Sequence, residues 1–341
     1  MIISKTPFRV SLFGGSTDYE SYYSKYGSLL VGFTIDKYCY TMVRKTPKIL
    51  GYKTRVSYSK VEVVNDNSII EHNGVRGVLD FLGIKYGVEI SHISDIPSQT
   101  GTGSSSSFIV GLLNAFCSIK NKTPTKKQLA QEAIYIERKL LNECGGIQDQ
   151  IWAAYGGLNS VNIDTAGDFE VKPLPVSSEF IEDFFSRCVL IYMGKTRKSY
   201  KIAKSNDCNN KYKENIQKIA HKGYKSFLDQ DIDSIALLLD RSWEEKKRVS
   251  DLVSSDEIDS RYNELKQNGV IGGKLLGSGG SGFMFGVLND KVNKPDFKKM
   301  IPLVKELRLA TQEGKKKILK EFFKKSKDPF WHMPSDVLYK D

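Results

Sequence analysis

The sequence predicts a protein of two domains in which strands and helices are mixed. The chain has 341 residues and a hydrophobic content of 40%, which is enough for two hydrophobic cores of ordinary size. Segments with alternating apolar residues are interspersed with segments of helical periodicity. Between residues 164 and 179 the composition shifts to Asp, Gly, Pro and Ser, a change typical of a domain boundary. We therefore divide the chain into domains of residues 1–175 and 176–341.

The elements predicted for the N-terminal domain follow from these two periodicities. Runs rich in Val, Ile, Tyr and Thr predict strands at 2–13, 28–43, 54–64 and 87–94. Helical spacing predicts helices at 75–82, 104–118 and 126–141, and glycines at 145 and 146 are expected to stop the last of them.

The C-terminal domain is predicted to be richer in helix. A strand is expected at 187–194 and another at 283–287. Helices are expected at 211–229, 231–250 and 255–268, near 296–311 and near 315–325. The lysines of the last helix are interpreted as a solvated face.

The stretch Gly101-Thr102-Gly103-Ser104-Ser105-Ser106 predicts a loop that binds phosphate groups. Its glycines allow the backbone to approach a ligand closely. The apolar run that follows makes the serines the start of a buried helix, where unpaired amides and the helix dipole favour anions. No Gly-Lys-Ser/Thr follows at the spacing of a Walker A loop. A flexible serine linker is the alternative, but linkers do not continue directly into a buried helix.

Charge and cysteine content narrow the class of protein. The formal net charge of +11 is compatible with nucleic acid, membrane surfaces or phosphorylated small molecules, and the distribution of charge favours the last. The five cysteines are widely spaced and form no metal-binding pattern, which indicates reduced thiols and a cytoplasmic protein. We expect neither a signal peptide nor a membrane span.

Two aspartates and a second glycine-rich stretch are further candidates for a site. Asp18 follows a glycine loop at the end of strand 2–13, where a carboxylate can accept hydrogen bonds from vicinal hydroxyls; it can equally be a helix cap. Asp149 lies among Ile, Trp and Ala, so it needs a partner or a function unless it caps the next helix. The glycines of 272–282 indicate backbone packed against a ligand or against the first loop.

Taken in order, three motifs resemble the GHMP kinase family of galacto-, homoserine, mevalonate and phosphomevalonate kinases. They are Pro7-Phe8-Arg9-Val10 with Gly14-Gly15-Ser16-Thr17-Asp18, then Gly101-Thr102-Gly103-Ser104-Ser105-Ser106, then Gly273-Lys274-Leu275-Leu276-Gly277-Ser278-Gly279-Gly280. The resemblance implies an α+β fold of two domains, the N-terminal one similar to ribosomal protein S5 domain 2 and the C-terminal one ferredoxin-like. ATP and its acceptor are expected in the cleft between them.

The resemblance also implies roles for single residues. The loop 101–106 is expected to bind ATP, and Ser105 and Glu137 to hold Mg²⁺. Asp149 matches the catalytic aspartate, and Arg9 matches the arginine beside it. The expected substrate-binding residues are Gly15, Ser16, Thr17 and Asp18 of the first motif, and Lys274, Gly277, Gly279 and Gly280 of the third.

The glycine-rich form of the first motif is similar to a subgroup of the family that includes heptose 7-phosphate kinases and fucokinases. It implies phosphorylation of an anomeric hydroxyl on a sugar phosphate. Cations for that phosphate are sought among Lys195, Arg197, Lys198 and Lys274, with Arg197 first because its guanidinium can bind phosphate through two hydrogen bonds. A kinase of free sugars and a non-catalytic sensor of sugar or ATP remain the alternatives, and the oligomeric state is open.

Overall fold

The computed structural model describes residues 1–193, 210–292 and 304–306. Arg197, with its neighbours Lys195 and Lys198, lies outside the described residues, as does the lysine-rich helix predicted at 315–325. No helix in the described ranges is long and apolar enough to cross a membrane.

A sheet of seven strands forms the N-terminal half, in the order β4-β3-β5-β2-β6-β7, with β1 paired to β2. The 18-residue strand β2 organises it, because β1 pairs along most of its length and β5 and β6 pair with its two ends. The elements in chain order are β1 (Ile2–Phe13), α1 (Glu20–Tyr26), β2 (Ser28–Lys45), β3 (Thr54–Ser57), β4 (Val61–Val64), α2 (Asn73–Phe81), β5 (Val88–Ser94), α3 (Ser104–Ile119), α4 (Lys126–Tyr135), α5 (Gln148–Tyr155), β6 (Leu158–Ile163) and β7 (Phe169–Pro173).

Helix α3 is the central helix of this half. Its sequence is apolar on nearly all sides, and eleven of its sixteen residues are buried, as expected for a helix enclosed by protein. It packs against β1 and β2. Its first turn is thereby fixed beside β1, which carries Arg9.

The second half contains an antiparallel sheet of four strands in the order β11-β8-β10-β9. Its elements are α6 (Ser178–Arg187), β8 (Cys188–Tyr192), α7 (Asn210–Leu228), α8 (Ile232–Lys247), α9 (Asp256–Gln267), β9 (Val270–Leu275), β10 (Phe283–Leu288) and β11 (Val304–Glu306). Caps on Ser177, Asp231 and Ser255 begin three of these helices, because each side chain accepts a hydrogen bond from a free amide of the first turn. The predicted α+β class is confirmed; the division at residue 175 stays a prediction.

Three expectations about single elements were wrong, and strand β7 was not predicted. Residues 54–64 form two strands, because the chain turns at 58–60, where the Tyr58 amide donates to the Lys60 carbonyl at 2.9 Å. The predicted helix 126–141 leaves α-helical geometry at Ile136 and ends as a π-helical turn, Ile136–Leu140. Residues 169–173 are strand β7 paired with β6, although their composition resembles a linker. Val304–Glu306, inside the helix expected near 296–311, form a strand.

Candidate active site

Arg9 and Asp149 form an ion pair at the centre of the molecule. Arg9 is on β1 and Asp149 is in the first turn of α5. The guanidinium donates from Nε and Nη2 to the two carboxylate oxygens at 2.8 Å each. The Asp149 side chain is 24% exposed and that of Arg9 only 6%, so the open side of the pair belongs to the carboxylate. The alternative that Asp149 caps a helix is wrong, because Ile147 occupies the cap position of α5.

Arg9 also holds the predicted phosphate loop. Its amide donates to the Thr102 carbonyl at 3.1 Å, and its Nη1 donates to the Gly101 carbonyl. Gly103, with φ of +76°, is the cap position of α3 and contributes no side chain to the cap. A Cβ at this position would lie 3.3 Å from both Arg9 and Asp149, and the positive φ also favours glycine where the backbone approaches the ion pair. The loop is a fixed part of the fold, which rules out the linker alternative.

The second glycine-rich stretch packs against the first loop, as one of the two interpretations of 272–282 predicted. A Cβ on Gly277 would meet the Gly101 Cα at 2.5 Å, and one on Gly282 would meet the Thr100 carbonyl oxygen at 2.3 Å. The Phe283 amide donates to that same oxygen at 3.2 Å. Gly280 donates its amide to the Val253 carbonyl at 2.8 Å, and Gly279 also packs on Val253. These glycines join the two halves of the chain; their predicted contact with substrate stays a prediction.

Glu137 lies in the π-helical turn and is almost fully buried. Its Oε2 accepts a hydrogen bond from Ser106 Oγ at 2.8 Å and another from the Gln150 amide. Burial raises the pKa of the Glu137 carboxyl to about 7, and the hydrogen bonds from Ser106 and Gln150 act in the opposite direction.

The hydroxyl beside Glu137 is therefore that of Ser106, whereas Ser105, predicted to act with Glu137, is exposed at the surface of the first turn. The two serines are consecutive on a helix and point in different directions. The role of Ser105 as a metal ligand stays a prediction.

Asp18 is buried at the end of the first motif's loop and does not cap α1, whose cap position is Tyr19. Its carboxylate accepts hydrogen bonds from the amides of Ser16 at 3.0 Å and Gln148 at 3.2 Å. A Cβ on Gly146 would overlap the Asp18 carboxylate at 1.8 Å, so Gly146 makes room for it. Burial, followed by the charge of Asp149, raises the pKa of Asp18.

The surroundings of Gly15 contain buried polar atoms without partners. Among the described residues, Ser11 Oγ and Gln148 Oε1 make no hydrogen bond although both are inaccessible. Both side chains lie next to Gly15, within 3.3 and 3.7 Å of the position a Cβ would take there. Buried polar groups are rarely left unpaired, so these atoms fit a polar ligand such as a polyol. The Thr17 hydroxyl, by contrast, is already bonded to Gly14, Ser28 and Gln217.

Two lysines of the C-terminal half are buried near the site. Lys274 was predicted to bind substrate, whereas Lys246 was not predicted to belong to the site. Lys274 Nζ donates to the Leu12 carbonyl at 3.0 Å. Lys246 Nζ donates to the carbonyls of Leu275 at 3.0 Å and Gly277 at 2.5 Å. Lys246 follows Trp243 by three residues on α8 and therefore lies on the apolar face of that helix. This position was the one feature of the sequence that could have predicted its burial.

Comparison with known proteins identifies the family. The model of the GHMP kinase N-terminal domain matches residues 73–157, and that of the GHMP kinase C-terminal domain matches residues 224–300. A D-glycero-α-D-manno-heptose 7-phosphate kinase of Campylobacter jejuni is 31% identical over 299 residues, covering 83% of this chain and 88% of the relative. The chain belongs to the GHMP kinase family.

Solved GHMP kinase structures have the same fold. A D-glycero-D-manno-heptose 1-phosphate kinase of Bacteroides thetaiotaomicron superposes with a TM-score of 0.75 at 22% identity, over 91% of this chain and 96% of the other. A Campylobacter jejuni protein described as a sugar kinase gives a TM-score of 0.72 at 26% identity, over 90% and 95%. The GHMP kinase fold therefore extends over nearly the whole chain.

This GHMP kinase is an ATP-dependent carbohydrate kinase, and its site has the parts that this chemistry needs. The first turn of α3 presents unpaired amides from which phosphate oxygens can accept hydrogen bonds. Asp149 presents an accessible carboxylate that can orient an acceptor hydroxyl and take its proton. Arg9 fixes the direction of that carboxylate.

The chain also offers oxygen ligands suited to Mg²⁺. Within the described ranges, no group of three or more His, Cys, Asp or Glu side chains could hold a metal ion. Mg²⁺ commonly takes one or two protein oxygens and keeps water and phosphate as its other ligands, which the Glu137 carboxylate and a serine hydroxyl of α3 can satisfy. When bound, the ion would neutralise charge on the phosphate groups.

Proposed function

We propose that this kinase transfers the γ-phosphoryl group of ATP to the anomeric hydroxyl of D-glycero-D-manno-heptose 7-phosphate. The products are the 1,7-bisphosphate and ADP, and the hydroxyl proton passes to Asp149. The bisphosphate would serve the synthesis of nucleotide-activated heptose for surface polysaccharide. The similarity to the Campylobacter jejuni heptose 7-phosphate kinase supports this substrate.

The structural observation that carries the proposal is the meeting of three elements around one accessible carboxylate. Asp149 lies beside the phosphate loop, through Gly103, and its charge acts on Asp18, which belongs to a buried polar cluster with Gln148 and Ser11. An acceptor hydroxyl held beside that cluster would be next to the carboxylate and to the start of α3. Catalysis of phosphoryl transfer consists mainly of such positioning, together with stabilisation of charge.

The direct test is turnover of ATP with four acceptors: D-glycero-D-manno-heptose 7-phosphate, sedoheptulose 7-phosphate, free mannose and free fucose. We expect turnover with the heptose phosphate and a new anomeric phosphate signal in the phosphorus NMR spectrum. Turnover with a free sugar alone would replace the proposal by a kinase of free sugars. ATP binding without turnover of any acceptor would favour a sensor.

We further propose that Arg197 binds the 7-phosphate. Replacement by alanine is expected to raise the KM for the heptose phosphate by about tenfold or more and to leave the KM for ATP unchanged, because a guanidinium–phosphate pair involves two charge-assisted hydrogen bonds. Arg241→Ala on the exposed face of α8 is the matched control. An unchanged KM in the Arg197 variant would remove this residue from the substrate site. The free cysteines at 39, 117 and 144 support the cytoplasm as the compartment.

A further inference from the structure

Three cations form a buried layer behind the two glycine-rich loops. They are Arg9 on β1, Lys274 on β9 and Lys246 on α8, and none is more than about 6% exposed. Each donates to a backbone carbonyl of the loops or of the strand beside them: Arg9 to Gly101, Lys274 to Leu12, and Lys246 to Leu275 and Gly277. The layer therefore lies where the phosphate loop meets the third motif.

The described residues around this layer supply fewer negative charges than positive charges. Both carboxylate oxygens of Asp149 are paired with Arg9, and among the residues that the structure describes Asp18 is the one carboxylate whose charge acts on Lys274. In the described part of the chain, the charges that act on Lys246 are the positive ones of Lys274 and Arg9, and all of its hydrogen bonds go to carbonyl oxygens.

A further polar group beside this layer is the neutral hydroxyl of Tyr262. The Tyr262 hydroxyl of α9 donates to Asp240 of α8 at 2.7 Å and lies 3.2 Å from the Gly273 carbonyl oxygen, so the Asp240 carboxylate is bound to tyrosine and to Lys266. Burial and the neighbouring cations hold the pKa of Lys246 well below its usual value and lower that of Lys274 to about 8. A buried layer with excess positive charge is stable only when lysines lose protons or an anion arrives.

We propose that Lys246 and Lys274 are a buried countercharge for the polyphosphate of ATP, acting as positioning residues behind the loop Gly101–Ser106. The contacts place this charge close to the loop, because Gly277, which accepts from Lys246, touches Gly101, which accepts from Arg9. The assignment rests on the proposed kinase function but not on the identity of the sugar. It differs from the interpretation in which Lys274 binds the sugar's own phosphate.

A consequence is that ATP binding takes up a proton. A polyphosphate near Lys274 favours the charged ammonium, so a proton moves from the buffer to the Lys274 amine when the nucleotide binds near pH 8. If the two lysines only stabilised the loops, they would donate the same hydrogen bonds before and after ATP binds, and their protonation would not change. Proton uptake therefore separates a countercharge from a purely structural role.

The experiment is titration calorimetry of the wild-type protein with the imido analogue of ATP, without sugar, at pH 8. Measurement in two buffers of different ionisation enthalpy gives the number of protons exchanged. We expect uptake with the analogue and none with adenosine. Lys274→Arg carries a permanent charge, so it should bind the analogue as tightly as wild type but with less uptake, the remainder going to Lys246. Lys246→Met should weaken binding about tenfold or more, as expected for loss of a charge pair out of water.

Lys247→Met is the matched control, because Lys247 neighbours Lys246 in sequence but pairs with Glu244 and Asp259 at the surface. It should retain both affinity and uptake. Absence of proton uptake by the wild-type protein, or unchanged affinity in Lys246→Met, would overturn the proposal. If Lys246→Met does not fold, the wild-type series and Lys274→Arg decide the question. Because no sugar is present, a wrong assignment of the acceptor would leave these results unaffected.

Discussion

Arg9 and Asp149 are joined by two parallel hydrogen bonds of 2.8 Å between the guanidinium and both carboxylate oxygens. The pair spans β1 and α5, and Arg9 is anchored a second time on the Gly101 carbonyl. One side chain thus sets the direction of the acidic group and the position of the phosphate loop. The distance between the proton acceptor and the phosphate site is therefore fixed by Arg9.

Asp149→Asn tests the acidic group as proton acceptor. The amide keeps the size of the side chain but cannot take a proton, so we expect kcat to fall by roughly 100-fold or more while both KM values change little. Steady-state kinetics with ATP and the acceptor measure this. A kcat within a few-fold of wild type would show that Asp149 only orients the hydroxyl.

Arg9→Lys tests the anchor separately. Lysine keeps the charge but cannot hold two carboxylate oxygens and Gly101 at once. We expect kcat to fall and the KM for ATP to rise in the same variant, because both the acid and the loop lose their support. A change in kcat alone would mean that the loop is held by its other contacts.

Ser105 and Ser106 can be distinguished by pH. The Ser106 hydroxyl lowers the pKa of Glu137, so Ser106→Ala should raise that pKa above its value of about 7. A protonated carboxyl cannot bind a cation, so activation by Mg²⁺ should then need higher pH. Ser105→Ala, which lacks contact with Glu137, should weaken Mg²⁺ activation equally at all pH values. Identical pH profiles for the two variants would contradict the arrangement seen here.

Gly277→Ala tests the contact between the two glycine-rich loops. Its φ of +68° disfavours any side chain, and a Cβ would lie 2.5 Å from the Gly101 Cα, where backbone must move. We expect a loss of about 1–3 kcal/mol in the free energy of unfolding and weaker ATP binding. Gly51→Ala is the control, since a Cβ there has no neighbour within 4 Å. Equal free energies of unfolding for the two variants would show that the contact between the loops does not contribute to stability.

The stability of the nucleotide-free protein should depend on Lys274 above pH 8. Its pKa is about 8 in the folded protein and 10.5 in the unfolded chain, so between these values the unfolded chain binds more protons. Stability therefore rises with pH over this window, and the cost of the buried charge is fully present below pH 8. Urea unfolding at pH 8 and 9.5 should show a gain of about 2 kcal/mol for wild type relative to Lys274→Met. If the free energy of unfolding changed equally between pH 8 and 9.5 in both proteins, titration of Lys274 would be excluded.

Much of this site could be predicted because its parts are local. The glycines of the phosphate loop, Asp18 and Asp149 each stand in a short motif, and the helix after Gly103 has the composition of a buried helix. The structure adds which groups meet. Ser106, which is buried, and not the exposed Ser105 contacts Glu137, and Glu137 lies in a π-helical turn that residue propensities do not predict.

Lys246 shows the limit of sequence interpretation most clearly. A lysine three residues from a buried tryptophan looks like the edge of an amphipathic helix with its charge in water. Its burial depends on the carbonyls of Leu275 and Gly277, which come from a strand and a loop that follow α8. Strand β7 was missed for a related reason: its pairing with β6, and not its own composition, makes it a strand.

The contact of Thr100 with Phe283 and Gly282 has a consequence for the order of events during synthesis. These residues are separated by more than half of the chain, and the first glycine-rich loop is completed by the second. During translation, the N-terminal half leaves the ribosomal exit tunnel long before residue 283 emerges. The nascent chain therefore cannot gain stability from cellular ATP during most of its translation, and ligand-assisted folding begins only when the polypeptide is nearly finished.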